Sequence, residues 1–242
     1  MRQALVAVRR RDGIREILIV LAAVWAYEVA RMLIRPNWPA AMANARKVDN
    51  LERALDFAWE QSLQRAFLSV PELIEAMNLF YFLGHFLLTA VFFVWLYHRS
   101  RDGYRSFRNG FLAATAIAVF IHWQFPTAPP RLLDGLGIED TLEAIWHLDI
   151  GSPHASAFSN PVAAVPSLHA GWAAGVGAGL VRYGRHRWVK VLGVLYPVAV
   201  VLTIIVTGNH FIFDALAGIA VLALGFLLVN LPQVGRRALS YN

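Results

Sequence analysis

Two short strings carry the side chains best suited to chemistry: Pro166-Ser167-Leu168-His169 and His210-Phe211-Ile212-Phe213-Asp214. Each lies at the edge of a strongly apolar segment, where an ionisable group costs ~2.5–3.5 kcal/mol on an insertion scale unless it is paired or wet. His210 and Asp214 are four residues apart, hence neighbours on one helical face. From His169 to His210 the chain runs through an apolar stretch, a basic turn and a second apolar stretch. A membrane crossing takes ~20 residues, so an out-and-back pair returns His210 to the membrane face that holds His169. An imidazole oriented by a carboxylate, opposite a second imidazole, suits a histidine nucleophile with a separate general acid. Either string alone is more often structural; their matched depth is what points to a site.

The elements that must position them follow from composition. The chain has 242 residues, 57% hydrophobic and 16% charged, with a mean hydropathy of +0.49. That apolar excess is too large for a soluble domain and falls in long runs. The expected fold is all-α: a polytopic membrane protein of six transmembrane helices plus an amphipathic interfacial helix. The spans are read at Glu16–Leu33, Leu73–Tyr97, Phe107–Phe125, Ala163–Val181, Trp188–Val206 and Phe211–Leu231. They form one domain over 1–242, with the first span and the interfacial helix in 1–70 and a catalytic helical core in 71–242. The apolar run of the first span extends to Leu33 without a convincing cleavage site, so it reads as a retained helix rather than a signal peptide.

The net charge of +6 reports topology, not nucleic-acid binding. Arg2, Arg9, Arg10, Arg11 and Arg15 precede the first span, and Arg99, Arg101, Arg105 and Arg108 separate the second and third. Arg182, Arg185, Arg187 and Lys190 separate the fourth and fifth, and Arg236 and Arg237 follow the sixth. All four clusters fall on one side, which the positive-inside rule makes cytoplasmic. The opposite loop, Pro126 to Asn160, has Arg131 as its one Lys or Arg against Asp134, Glu139, Asp140, Glu143 and Asp149. The expected location is the plasma membrane, with the site on the extracytoplasmic face. Cysteines introduced at Ser156 and Thr141 would then react from outside, and one at Ser106 would not. The chain has no cysteine, which excludes disulfides and thiolate chemistry.

Residues 37–69 read as a helix on the outer membrane surface, with Met42, Ala45, Leu51, Leu55, Ala58, Trp59, Leu63, Ala66 and Phe67 on its apolar side. Asp49, Glu52, Asp56 and Glu60 read as charges offsetting its basic residues. The segment either covers the site or anchors the chain. His85, with Asn78 before it, reads as a hydrogen-bonded bundle histidine, and Gly171, Gly175 and Gly179 as a small-residue packing face. In the external loop, Pro126, Pro129 and Pro130 stiffen the approach to Arg131. Its guanidinium suits bidentate phosphate binding, with an ion pair to Asp134 or Glu139 as the alternative.

Taken together and in order, these strings resemble the PAP2 (type 2 phosphatidic acid phosphatase) superfamily, and within it the inositolphosphotransferases that make inositol phosphorylceramide. The resemblance rests on Phe125 to Leu133, Asn160 to His169, and Thr207-Gly208-Asn209-His210 with Asp214. It implies a phosphohistidine on His210, with Asp214 orienting that ring and His169 protonating the leaving alcohol. Arg131, Ser167 and the Leu168 amide would bind phosphate. Three positions depart from the superfamily's pattern: Gln124 in place of Lys, Leu132 in place of Pro, and Ile204 in place of Arg. The pocket is therefore two cations short, and Asn209, Gln124 or His122 are candidate neutral donors. The implied substrate is a lipid phosphate or phospholipid in the bilayer, with no metal or other cofactor required. Transfer of a headgroup and plain hydrolysis both remain open. Two rivals are a metal-dependent hydrolase using His122, His147, His154, His169 and His210, and a transporter with the His–Asp pair as proton relay. No inverted repeat supports the transporter.

Overall fold

The computed structural model describes residues 2–34, 36–146 and 161–239. Among them every regular element is a helix, apart from one isolated parallel bridge between Thr127 and Ala163. Met1–Arg35 and Pro36–Asn242 form separate compact units. The first is a single helix, α1 (Arg2–Leu33). The amphipathic segment falls within the second unit.

In the second unit, α2 (Trp38–Ala54) and α3 (Glu60–Phe67) replace the single interfacial helix expected. They are separated at Asp56, whose φ of 58° is incompatible with a continuing right-handed helix. α4 (Pro71–Leu79), a π-helical turn (Phe80–Gly84) and α5 (His85–Arg99) follow as one rod. α6 (Arg101–Gln124), a 3₁₀ turn (Pro130–Leu132) and the short α7 (Thr141–Trp146) lead to α8 (Leu168–Tyr183), α9 (Arg187–Val206) and α10 (Ile212–Leu239). α8 begins at Leu168, not Ala163, because Thr127 N–H bonds the Val162 carbonyl and Ala164 N–H bonds the Thr127 carbonyl. Those bonds hold 162–164 extended beside the external loop.

Among the described residues, three helical rods are each long and apolar enough to cross a membrane: Pro71–Arg99, Arg187–Val206 and Ile212–Asn230. The other three expected spans fall short for identifiable reasons. α8 has 16 residues, or ~24 Å at 1.5 Å per residue. The first two turns of α6 carry Arg101, Asp102, Arg105 and Arg108. In α1 the uncharged run covers only 17–27, between Glu16 and the paired Glu28 and Arg31.

α10 packs between α6 and α8, α8 also packs on α9, and α5 lies against α6 and α8. The outward faces remain apolar and exposed, as at Val91, Val94, Val194, Val198, Leu224 and Leu227, which suits contact with lipid tails. The crossings are made by small residues, as expected of membrane helices. A Cβ on Gly218 of α10 would come 2.0 Å from the Ser167 carbonyl oxygen, and one on Gly171 of α8 would come 2.7 Å from that of Gly218. Gly177 and Gly193 make the corresponding crossing of α8 with α9.

Gly218→Val should therefore destabilise the fold by about 1–3 kcal/mol or more and lower the yield of monodisperse protein in detergent. Leu216→Val, at an exposed position on the same helix, should leave both unchanged.

Candidate active site

The site is assembled where α8 and α10 begin. Ser167 caps α8: its Oγ accepts from Ala170 N–H at 3.4 Å, while its own N–H donates to the Asp214 carbonyl at 2.9 Å. The cap is thus tied to the first turn of α10. It leaves the Leu168 and His169 N–H groups in the opening turn of α8, where no intrahelical bond uses them. His122 lies behind this turn and donates through Nε2 to the Pro166 carbonyl at 3.1 Å. Gln124 is exposed at the last residue of α6. Of the three candidate neutral donors, His122 thus has a ring nitrogen committed to the backbone and Gln124 is exposed.

His210 is reached by a tight turn after α9. Gly208 has φ +70°, a conformation that favours glycine, and the Asn209 and His210 N–H groups both return to the Ile204 carbonyl. His210 Nδ1 is 3.1 Å from the Ala164 carbonyl oxygen and 3.2 Å from Asp214 Oδ2. Both neighbours are acceptors, so Nδ1 carries the hydrogen and the lone pair lies on Nε2. The Asp214 side chain also accepts from Phe211 N–H at 2.9 Å. Across from it, the His169 ring centroid is 6.0 Å from that of His210, a separation comparable with one phosphoryl group. His169 stacks on Tyr81 at 4.4 Å and meets Phe86 at 5.2 Å, and its Nε2 is buried without a hydrogen-bond partner. The π-helical turn before α5 contributes Tyr81 to this apolar wall.

Arg131 is held from several directions. Its N–H donates to the Gly208 carbonyl at 3.1 Å, its Nε to Asp140 Oδ2 at 2.9 Å, and its Nη1 to Asn209 Oδ1. Asn209 in turn donates to Thr207 Oγ1 at 2.7 Å. The arginine's ion-pair partner is Asp140, not Asp134 or Glu139, and its side chain is only 5% exposed. The structure therefore brings together His169, His210, Asp214, Ser167, Leu168, Asn209 and Arg131.

A PAP2 superfamily model matches residues 46–228. The chain belongs to the PAP2 superfamily. Members of that superfamily are phosphatases or phosphotransferases. No curated protein and no solved structure matches the chain.

Against the PAP2 pattern, Ile204 stands where an arginine is usual, and its side chain is packed with Ala170, Ala173 and Val200. Among the described residues no three His, Asp or Glu side chains are grouped as a metal site needs. His147 and His154 of the metal reading lie outside the described residues, as do Asn160 and Ser156. Thr141 is buried and bonds Asn78 Oδ1 at 2.9 Å, so a cysteine there would not report surface accessibility. His85 is hydrogen-bonded, as expected: its Nδ1 is 2.9 Å from the Tyr196 hydroxyl.

Sequence reasoning missed four residues around this PAP2 site: Glu52, Glu60, Gln64 and Asp140. Glu52 completes the buried stripe Ala41, Ala45, Val48, Glu52 on α2. That spacing of four, three and four residues was legible, but Leu51 and Leu55 drew the apolar face elsewhere, and both are exposed. Gln64 is fully buried on α3. Its Nε2 donates to the Glu139 and Val206 carbonyls, each at 2.9 Å, and its Oε1 accepts from Glu139 N–H at 2.7 Å. One side chain thus joins the external loop to the end of α9.

Gln64→Ala strips partners from three backbone groups at once. At ~1–3 kcal/mol for a buried group left unpaired, it should lower unfolding free energy by roughly 2–4 kcal/mol. Denaturant titration in mixed micelles would read the change.

Proposed function

We propose that this protein moves a phosphoryl-bearing group between lipids through a phosphohistidine on His210. The observation that carries the reading is the pair of acceptors at His210 Nδ1, which leaves the Nε2 lone pair for phosphorus, with His169 6.0 Å away. In the first step Nε2 attacks phosphorus, the P–O bond to the lipid alcohol breaks, and a proton held on His169 passes to the leaving oxygen. In the second, an acceptor hydroxyl attacks phosphorus and gives its proton to His169. The P–N bond then breaks and His210 is restored. Arg131, the Leu168 and His169 N–H groups and the start of α8 would stabilise charge on the phosphoryl oxygens. The Tyr81 and Phe86 wall beside His169 suits an apolar leaving alcohol.

The preferred substrate on this reading is a phosphodiester lipid with an inositol-phosphate-type headgroup. A phosphate monoester carries nearly two charges and a diester one. Gln124 and Ile204 remove two cations, and Asp140 already offsets the charge of Arg131. Buried charge left unpaired is costly, so the diester is the better electrostatic match. The alternative is a PAP2-type hydrolase of lipid phosphates or polyprenyl diphosphates, in which water is the acceptor. A headgroup-labelled phosphodiester lipid given with a lipid alcohol should yield a labelled lipid product. His210→Ala should abolish that product and any acid-labile phosphoprotein. Asp214→Asn should lower kcat by ~10²-fold with little change in KM, because the Ala164 carbonyl still holds Nδ1. Vanadate should inhibit and EDTA should not. Rapid phosphate release from phosphatidic acid or a polyprenyl diphosphate, with no labelled transfer product, would make the enzyme a phosphatase.

We also propose six crossings, with α1, α6 and α8 completing the three longer rods, and the site on the outer face of the plasma membrane. Asp134 and Arg185 are both exposed and lie on opposite sides of this arrangement. A cysteine replacing Asp134 should react with an impermeant thiol reagent in intact cells, and one replacing Arg185 only after permeabilisation. The reverse pattern would overturn the topology.

A further inference from the structure

The backbone N–H groups at the start of α10 are donors that the helix itself leaves unpaired, and those of Phe211, Ile212 and Phe213 are met by carboxyls. Phe211 N–H donates to Asp214 Oδ2 at 2.9 Å, Ile212 N–H to Glu60 Oε1 at 2.9 Å, and Phe213 N–H to Glu52 Oε1 at 2.6 Å. The last two acceptors come from α3 and α2, 152 and 161 residues away along the chain. Glu52 is fully buried and Glu60 is 4% exposed, so neither is the surface charge its composition suggests. Glu52 Oε2 is buried without a hydrogen-bond partner. Burying two glutamates beside Asp214 is costly for the fold alone. Their bonds fall on the two residues between His210-Phe211 and Asp214, which set the register of the imidazole against its carboxylate.

We propose that Glu52 and Glu60 are positioning residues of the active site, and that the α2–α3 segment works by capping the helix that carries His210 and Asp214. The inference rests on reading His210 as the nucleophile, and it assigns that reading's geometry to side chains outside the family's motifs. Burial, and then a side-chain hydrogen bond with the adjoining Glu60, push Glu52 up to about 9, so it is neutral at pH 7. The charged groups facing it are Glu60 on α3 and Asp214, with its partner His210, on α10. A raised carboxyl pKa stabilises the fold most below the unfolded value near 4.5, and the contribution is lost as pH rises through about 9. There Glu52 ionises against two carboxyls and the cap loosens.

The test uses the full chain in detergent, with kcat and KM for a phosphodiester lipid measured from pH 6 to 10. The His210 tautomer is read in parallel by ¹⁵N-histidine NMR, its signals assigned by their loss in His210→Gln. Glu52→Leu should lower kcat by ~10- to 100-fold with KM within about twofold, and should mix the Nδ1–H and Nε2–H tautomers. Glu52→Gln keeps a neutral acceptor for Phe213 N–H. It should hold wild-type kcat and a single tautomer at pH 7, and should lack the activity decline above pH 9 expected of wild type. If Glu52→Leu fails to fold, Glu60→Gln and Glu52→Gln carry the test through the tautomer and the pH profile. Wild-type kcat and an unmixed tautomer in Glu52→Leu, or an alkaline decline unchanged in Glu52→Gln, would overturn the proposal. If the wild-type protein turns over none of the lipids, the enzymatic reading fails. The NMR result then still decides whether the cap positions His210.

Discussion

The first turn of α10 is the constraint on which the rest of the site depends. Its N–H groups have no partners inside the helix and are shut away from water, and each such donor left bare costs ~1–3 kcal/mol. Asp214, Glu60 and Glu52 satisfy three of them. The same turn offers its Asp214 carbonyl to Ser167 N–H, and the extended 162–164 segment aims the Ala164 carbonyl at His210. Because each partner arrives on a different element, the position of His210 is set by α2, α3, α8 and α10 together. Moving any one of them exposes a polar group to an apolar interior.

The arrangement also fixes the balance of charge in a medium where charge is expensive. Arg131 is matched by Asp140, and the Asp214 carboxylate by the Nδ1–H of His210. The first is a pair of opposite charges and the second a hydrogen bond to a neutral ring, and both spare a carboxylate from standing bare in a low-dielectric bundle. They also make the pocket less cationic than its arginine alone suggests. With Ile204 packed into the core instead of a second arginine, the phosphate site proposed above would rest on Arg131 and on neutral backbone N–H groups. Neutral donors match dispersed charge better than concentrated charge. That link connects the local packing of one isoleucine to the class of phosphate ester favoured here.

The amphipathic segment shows how composition can mislead when burial is decided at long range. Its acidic residues alternate with arginines as on a solvated helix, yet the stripe it buries is Ala41, Asn44, Ala45, Val48 and Glu52. Small apolar residues let α2 approach Phe211 and the external loop closely. Asn44 then bonds the Pro126 carbonyl, and Glu52 reaches α10. The larger Leu51, Leu55 and Trp59, which dominate a hydrophobic reading, remain exposed. In a protein whose surroundings are apolar, large hydrophobic residues need not mark the inward face.

What the sequence determined by itself was local. Four-residue spacing placed Asp214 beside His210, and the two apolar runs between His169 and His210 placed both imidazoles at one end of the bundle. Proline and glycine marked the turns that present Arg131 and His210. Helical class followed from long apolar runs, since a backbone in hydrocarbon must satisfy its own hydrogen bonds. Tertiary structure decided what joins elements distant in sequence. It chose Asp140 for Arg131, ended the helix containing His169 at Ser167, and divided the amphipathic segment at Asp56. It also turned Glu52, Glu60 and Gln64 inward onto backbone groups as many as 161 residues away. A glutamate that caps a distant helix has no spacing signature of its own, because the donor it satisfies is created only when that helix is brought alongside.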